Sequence, residues 1–247
     1  MAATSTARPK PGLGSVAAAY RLGLTTVAPP ARWIASLAGI AGIMILQLLI
    51  VRSSDLADER AVEVAAFSLI LFIVPIFCVS NASNAFGSAV NDDTLVYPWL
   101  RPAPRWHLAL GFTAAVWTLM LTAVAVSALV LFPFGAPADL VLGLAVGGGL
   151  GAIAYSAVFT GLGVRFKRAS SIGLVYVVLV DTFFSQANQA MARISIRNYA
   201  GSVMAAVADE SAGRFGVDPP LAVIILGLFT VAGIALTTVL LKRASVA

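Results

Sequence analysis

The chain has 247 residues, of which 60% are hydrophobic and only 11% charged, with a formal net charge of +5. A soluble domain is nearer half apolar and a quarter charged, so this chain has too few polar side chains to cover itself in water; its mean hydropathy of +0.94 points to a bilayer. Its one cysteine, Cys78, excludes an intramolecular disulfide and a cysteine metal cluster.

Residues 1–12 are polar, rich in Pro, Thr and Ser, and read as a disordered cytoplasmic tail without the apolar core of a signal peptide. Leu13, Val16, Ala17, Tyr20, Leu24 and Val27 then recur at helical spacing, with Arg21 off the stripe. That pattern predicts an amphipathic helix in the membrane interface, ended by Pro29-Pro30; the alternative is a frayed leader with chance periodicity.

From residue 13 onward the chain reads as one all-α transmembrane domain. Six apolar stretches follow, at about 33–51, 64–81, 108–132, 140–164, 172–189 and 221–241. Each approaches the length that crosses ~30 Å of hydrocarbon at about 1.5 Å per residue. They are continuous rather than alternating, which predicts helices and not a barrel. The fifth is the least apolar, since it holds Asp181, Gln186 and Asn188. Between the fifth and sixth, residues 190–220 carry Ile194, Ile196, Tyr199, Val203, Met204 and Val207, which predicts short helices packed at or dipping into the outer face.

Charge sets the expected orientation. One set of flanks carries eleven basic residues, among them Arg101, Arg105, Arg165, Lys167, Arg168, Lys242 and Arg243, against only Asp92 and Asp93. The other set carries five basic and eight acidic residues. The positive-inside rule therefore predicts that both termini are cytoplasmic, in a plasma (inner) membrane. The basic surplus is spread over juxtamembrane flanks where anionic lipid attracts it, so no nucleic-acid partner is expected.

Catalytic patterns are absent. The one histidine, His107, stands alone at the mouth of the third stretch and reads as an interfacial residue rather than part of a triad or metal site. There is no nucleophile elbow. Asp92 and Asp93 are adjacent, so on a helix they point about 100° apart and chelate poorly. Lys10, Lys167 and Lys242 follow Pro, Phe and Leu, never Gly, so there is no phosphate-binding loop. The chain is expected to be non-catalytic and to bind no cofactor or metal. The span-four glycines Gly143, Gly147, Gly148, Gly149 and Gly151 are read as a packing seam rather than a ligand loop. Pro75, with Asn81, Ser83 and Asn84 after it, predicts a kinked, polar inner end able to line a translocation route.

Between the second and third stretches runs Asn91-Asp92-Asp93-Thr94-Leu95-Val96-Tyr97-Pro98-Trp99-Leu100-Arg101-Pro102-Ala103-Pro104-Arg105. It resembles the loop between spans two and three of the six-helix permeases of ABC-2-type ATP-binding-cassette exporters, where an acidic residue precedes Gly-Thr-Leu, a Leu-Leu pair and Arg-Pro. Asp92, Thr94, Leu95, Leu100, Arg101 and Pro102 keep that pattern, while Asp93 stands where Gly is common and Pro98-Trp99 where an aliphatic pair begins. The run from Tyr176 to Asp181 followed by Ser195-Ile196-Arg197-Asn198-Tyr199 is similar to a variant of the same family, with aspartate where glutamate is frequent.

The resemblance implies a coupling helix over about 91–102, docked on a separate cytoplasmic ATPase subunit that holds the ATP and Mg. It also implies a second permease copy or a homologous one, lipid around both, and outward movement of substrate. Leu95, Trp99 and Leu100 would anchor that contact, with Asp92, Asp93 and Arg101 bonding around it; the alternative is a solvated loop whose Trp99 and Trp106 sit at headgroup level. Asp181 lies roughly 14 Å along the fifth stretch at about 1.5 Å per residue. A carboxyl at that depth needs a partner or a polar cavity. Arg197 is the expected partner if its segment folds back into the membrane; contact with substrate or ion is the alternative, and would suit an ion- or proton-coupled carrier. A non-transporting membrane partner of an ATPase is the remaining reading.

Overall fold

Prolines start the long helices. A proline at a helix N-terminus sacrifices only an N–H that has no intrahelical partner there. Helix α1 spans Gly14–Val27, and α2, Pro30–Ser53, begins directly on the second residue of Pro29-Pro30. Helix α5, Arg105–Leu131, follows Pro104 as its N-cap; α6, Ala138–Arg165, follows Pro137; α9, Pro219–Arg243, opens on Pro219-Pro220. The structure is a computed structural model and describes residues 14–27, 29–53, 58–91, 104–166, 168–184, 192–208, 215 and 217–243. It is all-helical, with no strand among the described residues.

The second apolar stretch is one helical run in three parts: α3 (Asp58–Ser68), a π-helical turn (Leu69–Ile73) and α4 (Val74–Asn91). Pro75 has no N–H for the carbonyl four residues back, and its ring crowds that carbonyl. The wider turn just before it relieves the clash, with the Val74 N–H reaching back five residues to the Leu69 carbonyl. A kink expected from Pro75 is thus met by a local change of helical pitch. The fifth stretch is α7 (Ala169–Tyr176), which passes into a longer π-helical segment, Val177–Phe184, that contains Asp181 and no proline. Among the described part of residues 190–220 there is one helix, α8 (Ile196–Val207), capped where the Ser195 hydroxyl accepts the Asn198 N–H at 3.3 Å.

Among the described residues, three helical segments are long and apolar enough to cross a membrane: α5 with the turn that follows it, α6 and α9. Shorter apolar helical stretches lie at Trp33–Leu46 and Ala169–Asp181. Helix α6 is the centre of the molecule and packs on α4, α5, α8 and α9. Of its most apolar stretch, 67% is buried inside the molecule, against 17% for α9, so α6 is core and α9 is periphery.

Close approach explains the centrality of α6. Gly143, Gly147 and Gly151, four residues apart, form a stripe against α8: a Cβ at Gly147 would lie 2.6 Å from the Ala200 carbonyl oxygen, and one at Gly143 would lie 2.7 Å from that of Met204. A Cβ at Gly149 would meet Leu121 at an ordinary 3.4 Å, and one at Gly148 would meet the end of the Val124 side chain slightly more tightly, at 3.3 Å. The glycine seam is therefore a packing surface, and three of its five glycines carry it. On the other side, Gly233 of α9 lies against the Ala157 backbone, where a Cβ would come within 2.5 Å.

Helix α1 is present as a helix, but it packs lengthwise on α5 through a stripe of small residues, Ala19 and Gly23, ending at Val27. Of the predicted apolar face, Val16, Tyr20 and Leu24 are only partly covered by protein and Ala17 is exposed, while Val27 is buried. Tyr20 bonds Thr118 at 2.9 Å across this contact. His107 is buried, 4% exposed, and hydrogen-bonds the Ser15 hydroxyl, so it joins two helices rather than sitting at an open interface.

Candidate functional site: a buried polar cluster and a polar cleft

Hydroxyls inside the helices mostly bond their own backbone. Thr113, Thr122, Ser127, Thr160 and Thr237 each donate to the carbonyl four residues earlier, at 2.6–2.8 Å. Two sites depart from this pattern.

The first surrounds Asp181, which is fully buried in the π-helical continuation of α7. Tyr155, in the middle of α6, donates its hydroxyl to the Asp181 carboxylate. Ser195, at the N-cap of α8, and Arg197, in its first turn, both lie close enough to act on that carboxylate electrostatically. Arg197 is 7% exposed and its guanidinium lies 5.4 Å from the centroid of Phe72, a cation–π contact with the π-helical turn before α4. Segments far apart in sequence therefore converge on one carboxyl: α6, the end of α7, and the first turn of α8. Arg197 links the group onward to the second stretch.

An aromatic ladder supports the cluster. Tyr155 stacks on Phe159 at 6.0 Å, and Phe159 meets Tyr176 edge-on at 5.8 Å. The Tyr176 hydroxyl donates to the Ile194 carbonyl at 3.3 Å, fastening α7 to the chain entering α8. Asn198 donates to the Phe215 carbonyl at 3.1 Å, and Ser202 to that of Val217 at 2.6 Å. Helix α8 is thus held on its outer side by backbone carbonyls and on its inner side by the glycine stripe of α6.

Among the sequence-predicted residues, Asp181 and Arg197 are brought together by the fold, with Tyr155 as an unexpected member. Tyr199 turns elsewhere: its hydroxyl donates to the Arg193 carbonyl at 2.6 Å, and its ring lies 6.4 Å from that of Phe229 on α9. Tyr155 carried a faint signal in the sequence, a lone phenol in a glycine-rich apolar span. Its spacing from Asp181 held none. The residues expected to couple to an ATPase, Asp92, Asp93, Thr94, Leu95, Trp99, Leu100, Arg101 and Pro102, lie outside the described residues, as does the 1–12 tail. The segment that contains them is bounded by the last residue of α4, Asn91, and the N-cap of α5, Pro104.

The second site is a cleft of about 300 Å³ between α2 and α4, lined by Ser36, Ile76, Phe77, Ser80, Asn81 and Asn84. It holds polar residues of α4 that follow Pro75, Asn81 and Asn84, whereas Ser83 faces α6, with its backbone against Gly163. Asp181 does not line this cleft. No group of three or more His, Cys, Asp or Glu able to hold a metal occurs among the described residues. What these two sites offer chemically is a fixed buried charge cluster and a neutral hydrogen-bonding surface. No protein-family model matches the sequence, and a search of curated proteins finds no significant match.

Proposed function

We propose that the chain is the membrane-spanning permease subunit of an ABC-type exporter, moving substrate outward with ATP hydrolysed on a separate ATPase subunit. The observation that carries this reading is the sequence of residues 92–102, with its acidic start, Thr94-Leu95, Leu100 and Arg101-Pro102, placed between two apolar helices. In this reading six spans are formed by α2, the α3–α4 run, α5, α6, α7 with its continuation, and α9. Helix α1 lies toward the inner face and α8 toward the outer. Both termini are cytoplasmic in the plasma membrane, in keeping with the basic flanks.

The permease pairs with a second copy or a homologue over two ATPase subunits, which hold the ATP and Mg. Nucleotide binding shifts the population between inward- and outward-facing arrangements only if the ATPases bind it more tightly in one of them. The coupling segment transmits that difference to α4 and α5, the helices it joins.

A second reading, an ion- or proton-coupled carrier working through Asp181, is favoured by a carboxyl buried in an apolar helix. That carboxyl accepts the Tyr155 hydroxyl and is not part of the cleft, which supports a structural role instead. A non-transporting membrane partner of an ATPase would share the coupling segment but need no cleft.

The deciding experiment first asks whether a P-loop ATPase is encoded beside this chain, and then co-expresses the two. The double substitution Leu95→Ala and Trp99→Ala is expected to leave the permease monodisperse in detergent while the ATPase is lost on purification, since removing an interface anchor costs about 2 kcal/mol or more. Retention of the ATPase at wild-type stoichiometry and turnover by a well-folded double variant would remove the exporter reading's main support.

A further inference from the structure

Phe77, Ser80, Asn81 and Asn84 recur at steps of three and four along α4, so they share one face of that helix. The other face, with Cys78, Ala82, Ala85 and Phe86, is buried in the core. The polar face is thus not used in packing on α6. It meets Ser36 of α2 across the cleft, with Ile76 and Phe77 supplying the apolar part of the lining.

The lining has two properties that select an occupant. It offers hydroxyls and amides, which are costly to leave facing hydrocarbon without a hydrogen-bonding partner. Asn81 gives one amide hydrogen to the Phe77 carbonyl at 2.9 Å, which leaves its other hydrogen and its carbonyl oxygen for a ligand. Ser36 and Ser80, unlike the threonines of α5, make no hydrogen bond through their hydroxyls to the described residues. In addition, none of the lining residues carries a charge. An ionised headgroup there would meet no counter-charge in the lining. A volume of about 300 Å³ lies at the small end of the range of ligand pockets, roughly 300–1,000 Å³. It is enough for the polar end of an amphiphile but not for its tail.

We propose that the α2–α4 cleft binds the uncharged polar end of an amphiphile, one whose hydroxyl, ester or amide groups adjoin an apolar tail, and that this is the class of molecule exported. The second clause rests on the exporter reading; the binding itself does not. Ser36, Ser80 and Asn81 hydrogen-bond the polar end, while Ile76 and Phe77 contact the start of the tail, which leaves through the open side of the cleft toward lipid.

The test uses the full chain in nanodiscs and three photoreactive probes with the same diazirine-bearing tail: a diacylglycerol, a phosphatidic acid and a quaternary-ammonium lipid. After irradiation, the labelled peptides are mapped by mass spectrometry. The diacylglycerol is expected to label the peptides around residues 36 and 76–84 at least about fivefold more than either charged probe, and Asn81→Leu is expected to cut that labelling about fivefold, as loss of one ligand hydrogen bond would. The double variant Ser36→Ala with Ser80→Ala is expected to do the same, and serves if Asn81→Leu does not fold. Equal labelling by the three probes, or labelling indifferent to both variants, overturns the proposal. So does disulfide formation between two Ser80→Cys copies without probe, which would make this face a subunit contact. Capture of the ATPase is measured separately: its failure with labelling intact removes the exporter reading alone, and charge-indifferent labelling with capture intact removes only the ligand class.

Discussion

Tyr155 and Asp181, 26 residues apart on the central helix and on the π-helical end of α7, are joined by a hydrogen bond from phenol to carboxylate inside the core. Ser195 and Arg197, at the start of α8, complete the surroundings of that carboxyl. The carboxyl therefore lies where the central helix, the end of α7 and the start of α8 meet. Breaking a buried pair by removing one partner typically costs about 3–5 kcal/mol, because the remaining charge stays buried.

Tyr155→Phe removes a hydroxyl and almost no volume. It is expected to destabilise the detergent-solubilised protein by about 1–3 kcal/mol, the cost of leaving a buried acceptor short of a donor. Thermal unfolding by intrinsic fluorescence measures this, and an unchanged midpoint would show that the hydroxyl contributes nothing to the carboxylate's environment.

The coupling of Asp181 to Arg197 is accessible to a double-mutant cycle. Asp181→Ala and Arg197→Ala are each expected to be strongly destabilising, while the double variant should be less damaged than the sum, by at least about 1 kcal/mol. Additive losses would show that the two side chains act independently. Asp209→Ala, which removes a carboxyl from a polar stretch of the loop between the fifth and sixth apolar stretches, is expected to have a smaller effect than Asp181→Ala.

The glycine stripe predicts a position-dependent tolerance. Gly147→Ala puts a methyl 2.6 Å from the Ala200 carbonyl and must push α8 off α6, whereas Gly149→Ala meets only the Leu121 side chain at 3.4 Å. Gly147→Ala is expected to lower stability by more than about 1 kcal/mol, within the cost of overpacking a close contact. Gly149→Ala should be neutral or slightly stabilising, since alanine is the better helix former. Equal effects in thermal unfolding would contradict the packing described for α8.

Arg101 presents a planar fork of donors that lysine reproduces poorly. If it bonds an ATPase carboxylate or carbonyls, both Arg101→Ala and Arg101→Lys are expected to reduce transport-stimulated ATP hydrolysis, with expression little changed. Full activity of the lysine variant would leave charge alone as the requirement.

Orientation is tested by impermeant thiol labelling of single-cysteine variants, in a background with Cys78 replaced by alanine. Cysteines at Lys167 and after Ala247 are expected to be protected in intact cells, and those at Asp58 and Gly213 to react. Reaction at position 167 from outside would overturn either the six-span count or its direction.

The sequence by itself determined that this chain is helical, with segments apolar enough for a membrane, and where those segments lie; the prolines that begin the helices act just as locally. Those properties are local: composition sets the solvent, and Pro30, Pro104, Pro137 and Pro219 act on their own backbone. Asp181 and Arg197 could also be singled out, because a charge in or beside an apolar stretch is conspicuous whatever surrounds it. Tertiary structure alone decided which faces meet. Helix α6 is apolar on every side, and lipid is as apolar as a protein core, so no contrast along the sequence marks the face that Gly143, Gly147 and Gly151 turn to α8. Tyr155 reaches Asp181, and Ser36 faces Asn81, only because separate helices cross there, and such crossings are set by side-chain fit between segments rather than by the period of either one.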